Sequence, residues 1–507
     1  MDQTAFLGAR AGAARVVVDD RVRVRLADIS DDAVLRLRAD FTYENPEYKK
    51  RKAARIPLAG ETREIATWSE DAGVMTFPRG GLSRVCDVLD AYGVDYEQVD
   101  ARSVGDADLL FSHYDIPDLQ GIELRPYQVA ARDAVLKREN CIVHLGTGGG
   151  KTTIAMALIA AAKLPALVVV PDVGLLDQWY ERVQRELGLR PDQIGRIGAG
   201  EWRVRPITIA TDDTLHARPE AFEAIAGKFG VFVYDEVHGA AARTIFDVVD
   251  RSPSRFRVGF SNDSSRKDRK EFLVHDLFGA VAFEASARDL AAQGFILDVE
   301  VRVVPTDFDA PWYKAAFVDV ARSRNRVRFA SVQSRLIEEM TYDRARNELI
   351  TDWVVREGGA SAAVLSQRVE HAVELDRRIA ATGVRTGFVL GGAGWKKQFG
   401  ETIRGLRSGD VQVALGTIQA FGTGKDVPAL ANVFVVTPLA NHKQGLAQVK
   451  GRACRLGKDS AHLYYFWDKR VSGKKAIENL VRWNKTVVVW SEGAWVNGRA
   501  YLREMRR

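Results

Sequence analysis

The feature that most restricts the fold is the apolar run Cys141 to Leu145, which breaks into Gly146-Thr147-Gly148-Gly149-Gly150-Lys151-Thr152 and passes directly into the helix-forming stretch Thr153 to Lys163. Strand, glycine-rich loop and helix in this order form the repeating unit of a parallel sheet covered by helices. Glycines let backbone N–H groups close around phosphate oxygens, and the start of the helix adds partial positive charge. Lys151 is placed to reach the β and γ phosphates of a nucleotide, and Thr152 to ligate Mg²⁺. The strict pattern has Gly where Leu145 stands, so the loop is a relaxed version, with a plain Gly-rich turn as the competing reading.

A second segment, Val231-Phe-Val-Tyr-Asp-Glu-Val-His238, is a buried-strand pattern that ends in two adjacent carboxylates. Asp235 at the strand end can hold Mg²⁺ through water, and Glu236 can orient and deprotonate an attacking water. The bland alternative is that the two acids cap the next helix. Further on, Gln448-Val-Lys-Gly-Arg-Ala-Cys-Arg455 carries Arg452 and Arg455 three residues apart, on one face of a helix, where they could meet a γ phosphate.

The 507 residues allow about three domains. Apolar runs alternate with helical segments over residues 106–300, with strands expected at Cys141 to Leu145, Ala166 to Val170, Ile207 to Ala210, Val231 to Tyr234 and Arg257 to Phe260. The pattern repeats over 343–470, around Ala362 to Leu365, Arg385 to Leu390, Val411 to Leu415, Val433 to Val436 and Leu463 to Phe466. The expected fold is therefore α/β, with two tandem parallel-sheet domains of nucleotide-binding type, which the resemblance set out below implies are RecA-like. Residues 301–342 are expected to bridge them, 471–507 to form a basic and aromatic extension, and 1–105 a small accessory module separable from the ATPase.

Composition excludes several classes. With 46% hydrophobic and 28% charged residues and no long apolar run, the chain reads as soluble and globular, with no membrane partner. The start has no secretory pattern, and Cys86, Cys141 and Cys454 are too scattered for a disulfide framework, so a cytoplasmic setting is expected, in a bacterial or phage-infected cell. The net charge of +6 permits a polyanionic partner without requiring one. Basic clusters at Lys49 to Arg55, Arg322 to Arg328 and Lys469 to Arg507 are each either solvated faces or phosphate contacts.

Taken in order, these segments resemble the motifs of the superfamily 2 helicases and translocases of DExH type. Leu145 to Thr152 resembles motif I, Asp235-Glu-Val-His238 motif II, and Gln448 to Arg455 motif VI. Arg125-Pro-Tyr-Gln128 is similar to the upstream glutamine motif, which implies that Gln128, with Arg125, meets adenine. Val168 to Trp179 resembles motif Ia and Ile207 to Thr211 motif Ic, which implies nucleic-acid contacts from Pro171, Gln178, Trp179 and Thr211. Thr417 to Asp426 resembles motif V, which implies a nucleic-acid contact at Thr417 and ATP contacts at Gly424 and Asp426. His238, Ser261 and Gln448 take coupling roles by the same resemblance. Val258 to Asp268 departs from the usual motif III, because Asp263 stands where a second hydroxyl is expected. Arg266 and Asp268 match an Arg-x-Asp found in XPB-like and phage UvsW-like members.

The resemblance implies an ATP- and Mg²⁺-dependent motor on single-stranded, forked or branched DNA. RNA is a possible alternative substrate, and an RNA-stimulated ATPase is the nearest rival reading. An ATP-binding scaffold with little motor activity and a restriction-system motor are the others. Phe41 to Tyr48 and Phe77 to Gly80 resemble the leading module of phage-type members, which implies DNA contact there. Trp483, Trp490 and Trp495 suit either base stacking or a core.

Overall fold

The computed structural model describes residues 13–54, 56–58, 60–105, 115–146, 148–237, 242–262, 270–297, 299–323, 326–359, 361–422, 430–438, 461–484 and 486–505. It divides into two compact units that meet in sequence at Ser286 and Ala287.

The first unit opens with the strands β1 (Ala14–Val18), β2 (Arg21–Arg25), β3 (Thr42–Glu44), β4 (Glu64–Ala66), β5 (Ser69–Asp71), β6 (Val74–Pro78) and β7 (Tyr96–Asp100). Five of them form a sheet in the order β5-β6-β2-β1-β7. Its core is Val16, Val18, Val22, Val24, Phe41, Met75 and Phe77 against helix residues Leu37, Val85 and Leu89. The alternation in Arg21–Arg25 leaves Val22 and Val24 buried and its arginines half-buried, as a one-sided strand requires.

The same unit continues with β8 (Asn140–Leu145), β9 (Ala166–Val170), β10 (Ile194–Gly198), β11 (Glu201–Arg203), β12 (Ile207–Thr211), β13 (Val231–Tyr234), β14 (Phe256–Ser261) and β15 (Val281–Ala285). Their order is β11-β10-β12-β9-β13-β14-β8-β15. Every ladder is parallel except β10 with β11. Runs such as Ala-Leu-Val-Val-Val are buried at every position, because helices cover both faces. Parallel pairing brings the carboxyl ends of β12, β9, β13, β14 and β8 to one edge, where ligands of open α/β sheets bind.

The accessory module does not stand apart from this sheet. Arg79 is 2% exposed. It donates to Asn140 Oδ1 at 3.0 and 3.1 Å, to the Ser254 carbonyl at 2.7 Å and to the Asp19 carbonyl at 3.1 Å. Asp276, buried in the helix Glu271–Phe278, accepts from Tyr43 Oη at 2.8 Å and Thr67 Oγ1 at 2.6 Å, and pairs with Arg84. The Tyr43 ring stacks on Phe272 at 4.0 Å. Arg257 in β14 reaches back to the Asp20 carbonyl at 2.8 Å. The expectation of a separable module is therefore corrected: its polar groups complete those of β8, β14 and the helix Glu271–Phe278.

The second unit holds β16 (Val299–Thr306), β17 (Ala362–Ser366), β18 (Thr386–Val389), β19 (Val413–Thr417), β20 (Asn432–Val435), β21 (Ala461–Asp468), β22 (Val487–Ser491) and β23 (Ala494–Asn497). Their order is β18-β19-β17-β20-β21-β16-β22-β23, parallel except for β22 with β23. Two expected boundaries are corrected here. Residues 301–342 are not a bridge, since β16 is an inner strand of this sheet and is followed by the helices Pro311–Ser323 and Arg326–Tyr342. Residues 471–507 are not an appendage, since they supply β22 and β23. Trp490 and Trp495 meet edge to face with ring centroids 5.1 Å apart, and lie 5.2 and 5.3 Å from Trp353, so of the two readings these partly buried tryptophans take the one of packing against the core.

Candidate functional site

The phosphate loop follows β8, whose end is tied to β15 by the Gly146 N–H donating to the Ala285 carbonyl at 2.9 Å. Gly148 and Gly150 have φ of +86° and +83°, a region that costs an L-residue strain. Gly150 caps the helix Lys151–Ala162, whose residues Ile154 to Ala160 are all buried, so the helix start is fixed by its own packing. A Cβ on Gly150 would stand 2.5 Å from Gln128 Nε2, which places the glutamine amide against the loop. Gln128 is itself held, its Oε1 accepting the Arg125 N–H at 3.0 Å in a capping box.

The acidic turn after β13 is pinned from both sides. Asp235 N–H donates to the Val169 carbonyl of β9 at 2.9 Å, and Val237 N–H to the Phe260 carbonyl of β14 at 3.0 Å. Glu236 between them is driven to φ +58°, a left-handed conformation rare outside glycine and typical of functional turns. Its Oε1 lies 2.5 Å from Lys151 Nζ. Asp235 is 4% exposed. Its Oδ2 accepts the Trp179 indole N–H at 2.9 Å, whereas Oδ1 is buried with no hydrogen-bond partner among the described residues. Burial pushes the Asp235 carboxyl above the ordinary range, Glu236 adds to the shift, and the Lys151 ammonium opposes it.

The structure thus brings together Gln128, Gly146, Gly148, Gly149, Gly150, Lys151, Thr152, Asp235 and Glu236. Ser261, 1% exposed, ends β14 opposite His144 of β8 on the same edge. Pro171 and Gln178 are half-buried near the end of β9. Two expected nucleic-acid contacts are corrected. Trp179 is 1% exposed and its ring points inward to Asp235, so it presents no face to a base. Thr211 is 4% exposed and its hydroxyl is hydrogen-bonded with Thr214 Oγ1 at 2.7 Å. In the second unit Thr417 ends β19 and caps the next turn, accepting the Ala420 N–H at 3.2 Å. Thr147, His238, Asp263, Arg266, Asp268, Gly424, Asp426, Gln448, Arg452 and Arg455 lie outside the described residues.

A parallel sheet with a phosphate loop and a paired-carboxylate turn on one edge, followed in the chain by a second parallel sheet, defines the tandem RecA-like class of nucleotide-driven proteins. Residues 121–262 match the family model described as Type III restriction enzyme, res subunit. The chain is 34% identical over 172 residues to the DNA 3'-5' translocase XPB2 of Sulfurisphaera tokodaii, covering 34% of this chain and 38% of that one. It is 29% identical over 276 residues to the DNA 3'-5' helicase XPB of Kineococcus radiotolerans, covering 52% of this chain and 46% of that one. The chain therefore spans less than half the length of either relative. The Hef helicase domain of Pyrococcus furiosus shares the fold, with a TM-score of 0.50 at 14% identity over 70% of this chain and 98% of that one. Over a third to a half of its length the chain is thus similar in sequence to XPB-type DNA helicases and translocases.

Proposed function

We propose that this chain is an ATP-driven DNA translocase or helicase that moves 3′ to 5′ and acts on single-stranded, forked or branched DNA. The observation that carries the reading is the Lys151–Glu236 pair beside Asp235, whose buried Oδ1 has no hydrogen-bond partner among the described residues, at the carboxyl edge of the first parallel sheet. An unpartnered buried carboxylate oxygen is costly unless something binds it, and a hard divalent cation or its water is the fitting ligand. Asp235 and Thr152 are the residues that would hold Mg²⁺, which when bound neutralises phosphate charge.

Lys151 offers its ammonium to the β and γ phosphates. As a phosphate takes Lys151, Glu236 is released to orient a water and accept its proton. Gln128 and Arg125 form the adenine-recognising part, with Gly424 and Asp426 also on the nucleotide. Arg452 and Arg455 supply the charge that stabilises the transition state. His238, Ser261 and Gln448 couple hydrolysis to movement. Pro171, Gln178 and Thr417 contact the strand through phosphates, and the exposed helix Pro46–Ala53, with Lys49, Lys50 and Lys52, adds further contacts. Among the described residues no helix is long and apolar enough to cross a membrane.

The test is one panel of forks, Holliday junctions, blunt duplexes, oppositely tailed duplexes and RNA hybrids, scored for ATPase stimulation and strand displacement. Stimulation by DNA with displacement only from the 3′-tailed substrate is expected. Stimulation by RNA alone would replace the reading with an RNA motor, and no turnover with any polymer would replace it with a scaffold.

A further inference from the structure

We propose that Trp179 is a positioning residue for the cation site, holding the Asp235 carboxylate so that Oδ1 alone is presented to the metal. This rests on the reading of Asp235 as a Mg²⁺-holding residue. Trp179 lies on the apolar face of the helix Val173–Leu187 with Leu176, Val183 and Leu187, so its ring cannot turn away without opening the core. Its indole N–H donates to Asp235 Oδ2 at 2.9 Å, both groups being buried. The Asp235 backbone N–H is fixed independently to the Val169 carbonyl at 2.9 Å. With main chain and one carboxylate oxygen both anchored, the direction of Oδ1 is set.

The chemistry of the donor favours this role over simple satisfaction of a buried indole. Indole is a donor only and carries no charge. It can therefore lock a carboxylate rotamer without competing for the cation's negative partner, as a lysine or arginine in the same place would. It also engages one oxygen and leaves the other without a hydrogen-bond partner among the described residues, which suits a single inner ligand or water-mediated contact better than a bidentate one. Outer partners that orient a metal ligand typically contribute 10- to 100-fold to metal affinity.

The experiment uses Mn²⁺ as the probe, titrated by electron paramagnetic resonance into the full chain with ADP, alongside ADP affinity in metal-free buffer. Two variants remove the N–H: Trp179→Phe, which also shortens the ring, and the isosteric benzothienylalanine at the same position, which keeps the bicyclic ring and removes the donor without leaving a cavity. Mn²⁺ affinity is expected to fall about tenfold in both, with metal-free ADP affinity unchanged. Parental Mn²⁺ affinity in the isostere overturns the proposal, and so does an equal loss of metal-free ADP binding, which would mark a general collapse of the site. Asp235→Asn separates the underlying reading: if it binds Mn²⁺ like the parent, Asp235 is not a metal-holding residue at all, whatever Trp179 does.

Discussion

Lys151 Nζ and Glu236 Oε1 stand 2.5 Å apart, so the cation assigned to the phosphates and the carboxylate assigned to water hold each other. The two substitutions that break this pair should differ in sign. Lys151→Ala removes the positive charge that the loop offers to the phosphates, and should abolish turnover and weaken ATP binding by at least tenfold. Glu236→Gln frees Lys151 from its carboxylate and removes only the proton acceptor. It should bind ATP as tightly as the parent or more tightly, while turnover falls by about 100-fold or more. Fluorescent-nucleotide titration and phosphate release read the two quantities separately. Parental turnover in Glu236→Gln would sink the assignment of that residue.

Gly150→Ala tests the loop itself. At φ +83° an alanine is strained by about 1 kcal/mol, and its Cβ would stand 2.5 Å from Gln128 Nε2. The loop or the glutamine must move, so ATP affinity should fall by about tenfold or more, with a melting-temperature change of only a few degrees. If affinity is unchanged, the contact between Gln128 and the loop does not matter to binding.

The accessory module gives a prediction opposite to one based on sequence alone. Deleting residues 1–105 would strip Arg257, Asp250 and Asp276 of partners and bare the faces of β14 and the helix Glu271–Phe278 that the module covers. Removing one member of a buried polar network typically costs about 3 kcal/mol, and here several are lost together. The truncated protein should be insoluble or melt well below the parent. The milder Arg79→Ala should lower stability by about 3 kcal/mol in denaturant titration, since it leaves Asn140 and the Ser254 carbonyl unsatisfied. A truncation that keeps the parental melting point would show that these contacts carry little.

Much of the site could be read before the structure because its parts are local: a glycine loop and an acidic turn, each bounded by a fully apolar strand. The strands Ala166–Val170 and Val231–Tyr234 match their expected limits for that reason, since a run buried on both faces has no competing period. The strands that escaped notice lack such runs. Ile194–Gly198 is broken by two glycines, and Val299–Thr306 alternates charged with apolar residues although it lies inside its sheet. Its Arg302 is accommodated by Glu300 two residues away at 2.7 Å and by the distant Tyr464 Oη at 2.8 Å, and the second contact has no local signature. Trp179 was misread for another reason. A motif resemblance assigned it to nucleic acid, whereas its spacing with Leu176, Val183 and Leu187 already put it on the inner face of a helix.

His371 offers a test of the second unit that is independent of nucleotide. It is fully buried, with Ser366 Oγ 3.2 Å from Nδ1 and Asn347 Oδ1 3.0 Å from Nε2. Asn347 is oriented by its own amide donating to the Thr341 carbonyl at 2.8 Å, so Nε2 is the donor and Nδ1 the acceptor of a neutral ring. Burial, helped by the charge of Arg346, pushes the imidazole down from 6.5 to about 3. A base whose folded pKa lies below its unfolded value contributes stability that is complete above pH 6.5 and is lost as pH falls toward 3. By pH 5 the unfolded chain gains about 2 kcal/mol from binding a proton that the folded ring refuses. His371→Gln cannot take up that proton. The variant should be the less stable protein at pH 7.5, with the gap narrowing by about 2 kcal/mol by pH 5. Hydrogen exchange of the β17 and β20 amides, measured in both proteins across that range, reads the second unit alone. A gap that stays constant with pH would mean that the folded ring takes up a proton as readily as the unfolded one, and the neutral hydrogen-bond chain through Ser366, His371 and Asn347 would have to be abandoned.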